Sequence, residues 1–274
     1  MNSSIRSTML GLGLAAMLSS STFGQDTGFK DTLEKSPRHQ EWVKVKVDDT
    51  REIDAFIVFP EVKDPAASVI VIHEIFGLSD WIRVVGDELA KNGYVAICPD
   101  LLSGTGPNGG GTASFPSVDE VRRTVSGLNP DQVTADLKAT MTYVRDLPAT
   151  TDKVAVTGFC WGGGKSFRLA MDEPSIVAAL PYYGVPNGGA EDYKRIACPV
   201  YGFYGENDNR VNSTIENSKS MMKAAGKTYE PVIYPGAGHG FLRVGMGAGA
   251  EGANKTAADE AWKRMLGLLK ETTK

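Results

Sequence analysis

The stretch VAVTGFCWGGGKS, Val154 to Ser166, brings together the residue types that could do chemistry. Two chemistries compete for it. A phosphate-cradling loop needs Gly, four residues and then Gly-Lys-Ser/Thr, so that backbone N–H groups wrap the phosphates and the Lys reaches them. Gly164-Lys165-Ser166 supplies the end of that pattern, but its first position is Phe159, and Gly158 is one residue out of register. The other pattern is Gly-x-nucleophile-x-Gly, set on a sharp turn between a strand and a helix. Gly158-Phe159-Cys160-Trp161-Gly162 has that form, with Cys160 in the nucleophile position. The KVAVTG before it is β-branched and apolar, as a buried parallel strand should be. The GGGKSFRLAMDE after it suits a helix beyond the glycines.

A thiolate, not a thiol, attacks a carbonyl carbon, and a free Cys with pKa ~8.5 is mostly protonated at neutral pH. Cys160 therefore needs a base. The chain has three histidines: His39, His73 and His239. His39 lies in an irregular polar stretch. His73 sits on a strand and reads as a core histidine; His73-Glu74 begins like H-E-x-x-H, but position 77 is Gly77, so no metal motif follows. His239 lies in a glycine-flanked loop, GAGHGF, beyond a late strand, and is the expected general base. Asp208 is expected to hold its imidazole, with Glu206 and Asn207 competing in the same loop. The expected oxyanion donors are the backbone N–H groups of Trp161, just after the nucleophile, and Ile75, after the strand SVIVIHE. The order nucleophile, acid, histidine matches one known arrangement of such a triad.

These residues must be carried by a scaffold, and the chain alternates accordingly. WVKVKV and IDAFIVFP read as an opening antiparallel hairpin. SVIVIHE, YVAICPD, KVAVTG, VAALPYY, PVYGFYG and PVIYP read as further strands. Helices are expected at Asp80 to Asn92, Asp131 to Leu147, after Cys160, near Ser213 to Ala225, and at Ala257 to Leu269. In the second of these, Val133, Leu137, Met141 and Val144 share one face. Asp26 to Glu41 reads as irregular. Leu101 to Pro130 and the glycine-rich VGMGAGAEGA after Arg243 read as long loops. Strands alternating with helices imply an α/β fold with a mostly parallel sheet and helices on both faces. No repeat or second-domain linker interrupts residues 25–274, which read as one domain.

Composition narrows the function classes. The 274 residues are 42% hydrophobic, enough for a core, and the net charge is −4 with no long basic run, so nothing points to nucleic acid. No apolar stretch beyond the N-terminus reaches membrane-spanning length. At the N-terminus, Arg6 precedes MLGLGLAAML and then small polar residues, which reads as a signal peptide over 1–24 and a secreted or periplasmic mature chain. Three cysteines do not make a disulfide framework. Cys98 and Cys198 read as buried small hydrophobes, with a bridge between them left open.

The set resembles the dienelactone hydrolase family of α/β-hydrolases. The matching pieces are HEIFGL, GYVAICPDL, GFCWGGG, PYYG, GENDNRV and GAGHGF, spread from about Glu41 to Lys270. The resemblance implies an α/β-hydrolase fold and a cofactor-free, metal-free enzyme. It implies cleavage of a lactone or small ester through Cys160, Asp208 and His239 by way of a thioester acyl-enzyme. It also implies that Glu74 contacts the resting thiol and that Arg243, four residues past the histidine, helps move Glu74 when an anionic substrate binds. In one respect the chain departs from the family: after Pro99-Asp100-Leu101 no arginine occurs until Arg122, where bacterial members carry one for the substrate carboxylate. Besides this reading stand a broad aryl-ester or thioester hydrolase on the same triad and a non-catalytic binding protein of the same fold. The expected partner is a small-molecule ester or lactone, with no nucleic acid and no membrane after signal removal, for a monomer or small homo-oligomer.

Overall fold

The run SVIVI carries apolar side chains at odd and even positions alike, and that pattern suits a strand covered on both faces. In the computed structural model, which describes residues 27–274, it forms β3 (Ala66–Ile72) in the middle of a sheet. Its pleat sends Val69 and Val71 to one face and Ile70 and Ile72 to the other, and all four are fully buried. The other strands are β1 (Gln40–Lys46), β2 (Glu52–Val58), β4 (Val95–Pro99), β5 (Thr150–Phe159), β6 (Ala178–Tyr182), β7 (Val200–Gly205) and β8 (Tyr229–Tyr234). They form one eight-stranded sheet in the order β1-β2-β4-β3-β5-β6-β7-β8. β2 pairs antiparallel with β1 and with β4; every other pairing is parallel. The parallel strands therefore deliver their carboxyl ends to one edge, where open α/β sheets hold their sites.

Helices cover both faces. α1 (Thr27–Glu34), α2 (Asp80–Lys91), α9 (Phe241–Met246) and α10 (Gly252–Thr272) pack on the Val69–Val71 side. α4 (Pro130–Arg145), α5 (Trp161–Asp172), α6 (Ala190–Arg195) and α8 (Ile215–Ala224) pack on the other. α4 starts where Asn129 accepts a hydrogen bond from the Asp131 N–H and Pro130 fills the first turn. Its stripe of Val133, Leu137, Met141 and Val144 is buried as the 3.6-residue period requires. Full burial of each such side chain stabilises the fold by about 1.5–3 kcal/mol.

Three expectations are corrected. The Asp26–Glu41 stretch contains a helix, α1, because Phe29 and Leu33, one turn apart, both sink into the core. Leu101 to Pro130 is not loop throughout. It holds α3 (Val118–Gly127), capped by Ser117 accepting from the Glu120 N–H and anchored by buried Val121 and Val125. The glycine-rich run after Arg243 is helical at both ends as well: α9 extends to Met246, and α10 begins at Gly252, five residues before the expected start. The signal-peptide region lies outside the described residues. Cys98 and Cys198 are free and buried, so no bridge joins them.

Candidate active site

Cys160 sits at the junction of β5 and α5 with φ 54° and ψ −115°. Positive φ is strained for a residue with a Cβ, and such strain persists only where the surroundings enforce it. The flanking glycines explain how the turn closes. A Cβ on Gly158 would run into the carbonyl of Gly162, and a Cβ on Gly162 would run into the carbonyls of Ile72 and His73. The glycine cluster thus serves close backbone approach at a bend, not a phosphate. Lys165 turns back, its Nζ 5.1 Å from the centre of the Trp161 ring.

The thiol faces β3's carboxyl end. The backbone N–H groups of Ile75 and Trp161 lie near enough to it to favour thiolate, and so does the positive charge of Arg210. Burial, and after it the nearby Glu74 carboxylate, outweigh them and hold the thiol above its usual range. Among the described residues, Sγ makes no hydrogen bond to His239. The two predicted oxyanion donors and Glu74 are therefore gathered around the sulfur in this resting arrangement.

Glu74 is 3% exposed. Burial pushes its carboxyl up to about 7 against the pull of Arg243. Arg243 Nε lies 3.1 Å from Glu74 Oε2. The pair is out of line for a hydrogen bond, so both atoms stay buried without a hydrogen-bond partner. The Arg243 guanidinium also lies over Phe76, 5.2 Å from the ring centre. The two predicted gating residues thus meet beside the thiol.

The acid loop follows β7. Asp208 caps α7 (Asn209–Asn212) through Oδ1, which accepts from the Val211 N–H. Its Oδ2 lies 2.5 Å from His239 Nδ1, so the carboxylate accepts a hydrogen bond from Nδ1–H and favours the tautomer that leaves Nε2 without a proton. The competitors in that loop have other tasks. Glu206 accepts from the Gly236 N–H and Asn207 donates to the Gly236 carbonyl, which ties the histidine loop to β7. Gly240 takes φ 74° just after His239, a conformation that costs glycine nothing.

Tyr183, the residue just past β6, belongs to this cluster and escaped the sequence reading. It has φ 36°, is fully buried, and meets the His239 ring edge-on at 5.1 Å. Its hydroxyl has no hydrogen-bond partner and lies close enough to Glu74 and Cys160 for their charges to raise its pKa after burial has done so. Reading the residue after every strand, β6 included, would have found it. At the end of β4, Asp100 accepts from Leu102 N–H, Thr112 N–H and Thr112 Oγ1–H, while Thr112 Oγ1 accepts from Leu78 N–H. The segment after β4 is thereby pinned to the turn that carries Ile75.

This arrangement has relatives. The model of the "Dienelactone hydrolase family" matches residues 53–273. A "Putative carboxymethylenebutenolidase" of Methylorubrum extorquens is 32% identical over 201 residues, covering 69% of this chain and 68% of that protein. A protein of the same description from Yersinia pestis is 31% identical over 230 residues, covering 78% of this chain and 82% of its own length. The crystal structure of a "Putative Dienelactone Hydrolase" from Klebsiella pneumoniae superposes with a TM-score of 0.73 at 27% identity, covering 84% of this chain and 97% of that one. With the α/β-hydrolase sheet, the strained cysteine turn and these matches together, the chain belongs to the dienelactone hydrolase family and is a carboxylic ester hydrolase.

Proposed function

We propose that the protein cleaves a lactone or small ester with Cys160 as nucleophile, His239 as base and Asp208 as the group that orients the imidazole. The observation that carries this is the 2.5 Å Asp208–His239 pair set on the same sheet edge as a cysteine held at positive φ. His239 Nε2 takes the thiol proton after Sγ has turned towards it. The thiolate attacks the ester carbonyl carbon, and the oxygen's charge falls between the N–H groups of Ile75 and Trp161. Collapse breaks the C–O bond, and His239 returns the proton to the departing oxygen, which in a lactone stays tethered to the acyl chain. Water, deprotonated by His239, then cleaves the thioester and releases the acid and the free thiol.

In the resting arrangement Glu74 keeps the thiol protonated, which protects an idle sulfur from oxidation. Pairing of a substrate anion with Arg243 would release Glu74 and the sulfur together. The test is turnover of p-nitrophenyl acetate and a small lactone by Cys160→Ala. A loss of about a thousandfold or more is expected; turnover at the wild-type rate removes the reading.

Export remains a proposal from the sequence: Arg6 followed by MLGLGLAAML. Sequencing the N-terminus of the protein recovered from cells decides it, since an intact Met1 excludes cleavage near Gly24.

A further inference from the structure

His73 is wholly buried, and neither the thiol nor the Asp208–His239 pair uses it. Yet it touches the carriers of both backbone N–H groups assigned to the oxyanion. Its Nδ1 lies 2.7 Å from the carbonyl oxygen of Glu74. That carbonyl belongs to the peptide unit whose other end is the Ile75 N–H. A trans peptide is planar, with C=O and N–H pointing in opposite directions, so fixing the oxygen fixes the hydrogen. On its other side the His73 ring stacks on Trp161, with centroids 5.4 Å apart and planes 12° apart. Trp161 carries the second donor.

The proton on His73 can be assigned from its partner. A carbonyl oxygen only accepts, so Nδ1 carries the hydrogen. Burial holds the ring's pKa down and keeps it neutral, which leaves Nε2 bare. Nε2 is buried and has no partner. An apolar side chain of similar size would not carry that cost. The imidazole is thus poorly matched to its pocket except at Nδ1, where it makes one short bond to one peptide. That peptide has a second, longer tie, from the Gly77 N–H at 3.2 Å.

We propose that His73 is a positioning residue that aims the two oxyanion donors, holding the Glu74–Ile75 peptide plane through Nδ1–H and backing the Trp161 ring with its own. A peptide whose carbonyl accepts a hydrogen bond is also a stronger donor at its N–H, because bonds in a chain polarise one another. The inference rests on the reading of Cys160 as nucleophile. It places the effect on kcat and not on KM, since the oxyanion exists only beyond the ground state.

Two substitutions separate the two contacts. His73→Phe keeps a ring against Trp161 and removes the Nδ1–H. His73→Asn keeps an amide donor near the Nδ1 position and removes the ring. Both are compared with wild type and Cys160→Ala on p-nitrophenyl acetate, with thermal unfolding measured alongside. His73→Phe is expected to lose about 10- to 100-fold in kcat, with KM within about threefold of wild type. Its Tm should equal or exceed that of wild type, because the bare Nε2 is gone. His73→Asn should recover part of the lost kcat, the shortfall from wild type being the share of the Trp161 contact. An unchanged kcat in His73→Phe overturns the inference and leaves the Cys160 reading standing. A kcat loss that His73→Asn shares in full overturns it too, for a donor to the Glu74 carbonyl then restores nothing, and so does a loss that merely follows a lowered Tm, for the imidazole is then only filler. Wild-type turnover by Cys160→Ala instead removes the reading beneath, and the inference with it. If His73→Phe does not fold, the smaller His73→Leu takes its place under the same criteria.

Discussion

His239 Nδ1 lies 2.5 Å from Asp208 Oδ2, although the two residues are 31 apart in sequence and arrive on different loops. The link works because Asp208 divides its labour: Oδ1 accepts from the Val211 N–H and fixes the carboxyl plane, while Oδ2 faces the imidazole.

Asp208→Asn tests that division. An asparagine still caps α7, so the local fold should survive. Its amide presents a donor or a neutral oxygen to Nδ1, and the preference for the productive tautomer is lost. We expect kcat for p-nitrophenyl acetate to fall about a thousandfold with little change in Tm. Activity within about tenfold of wild type would assign the imidazole's orientation to other contacts, such as the Tyr183 ring.

Glu74→Gln is expected to wake the thiol. Glu74 is the largest charge effect holding Cys160 in the thiol form, second only to burial. Its loss also leaves Arg243 without an opposing charge beside the site. Alkylation of Cys160 by iodoacetamide near pH 8 should run about three- to tenfold faster than in wild type. A rate equal to or below wild type would show that the carboxylate does not restrain the sulfur.

The same residue sets a pH dependence of stability. The Glu74 carboxyl is pushed from 4.5 up to about 7 by burial, so the folded chain binds this proton more tightly than the unfolded chain. The stabilisation is complete below pH 4.5 and is lost as pH rises through about 7. Glutamine never ionises. The Tm of Glu74→Gln relative to wild type should therefore climb between these pH values and level off above them. A difference that is flat across that range would mean Arg243 offsets the buried charge in full.

Much of this was legible because the chemistry sits at predictable places. Gly158, Cys160 and Gly162 announce a bend, and Ile75, Asp208 and His239 each follow a strand that apolar runs betray. The helices hidden in the supposed loops were less visible for a physical reason. α3 buries only Val121 and Val125, and α10 opens with Gly252, so hydrophobic periodicity was thin in the first and began late in the second. Tyr183 was legible only by its place just past β6; its role was not, because an apolar strand end looks like core until its φ of 36° and unpartnered hydroxyl are seen. His73 reads as a core histidine and is one by burial; only the direction of its Nδ1–H ties it to Ile75.

Gly162→Ala probes the bend itself. The added methyl would meet two backbone carbonyls, those of Ile72 and His73, and neither can rotate aside as a side-chain tip could. Overpacking of this kind costs about 3 kcal/mol, or roughly 5–10 °C in Tm for a chain of this size. An alanine variant as stable as wild type would show that the strand and helix can separate at the elbow.

Arg243 is the residue expected, on the proposed reading, to set the site's preference for an anionic substrate. Its side chain is 33% exposed, while the side chain of its partner Glu74 is 4% exposed, so a ligand can approach the guanidinium but not the carboxylate. The Nε–Oε2 contact is close but misaligned, which leaves the guanidinium's donors free to prefer a better-placed anion. Arg243→Gln should raise KM for an ester or lactone bearing a carboxylate by about 10- to 100-fold, the worth of a hydrogen bond to a charged group. For neutral p-nitrophenyl acetate KM should move far less. If both substrates suffer equally, Arg243 acts only by holding Glu74, and the anion-recognising role belongs elsewhere; the exposed Arg210, whose charge also reaches Cys160, is then the next residue to replace.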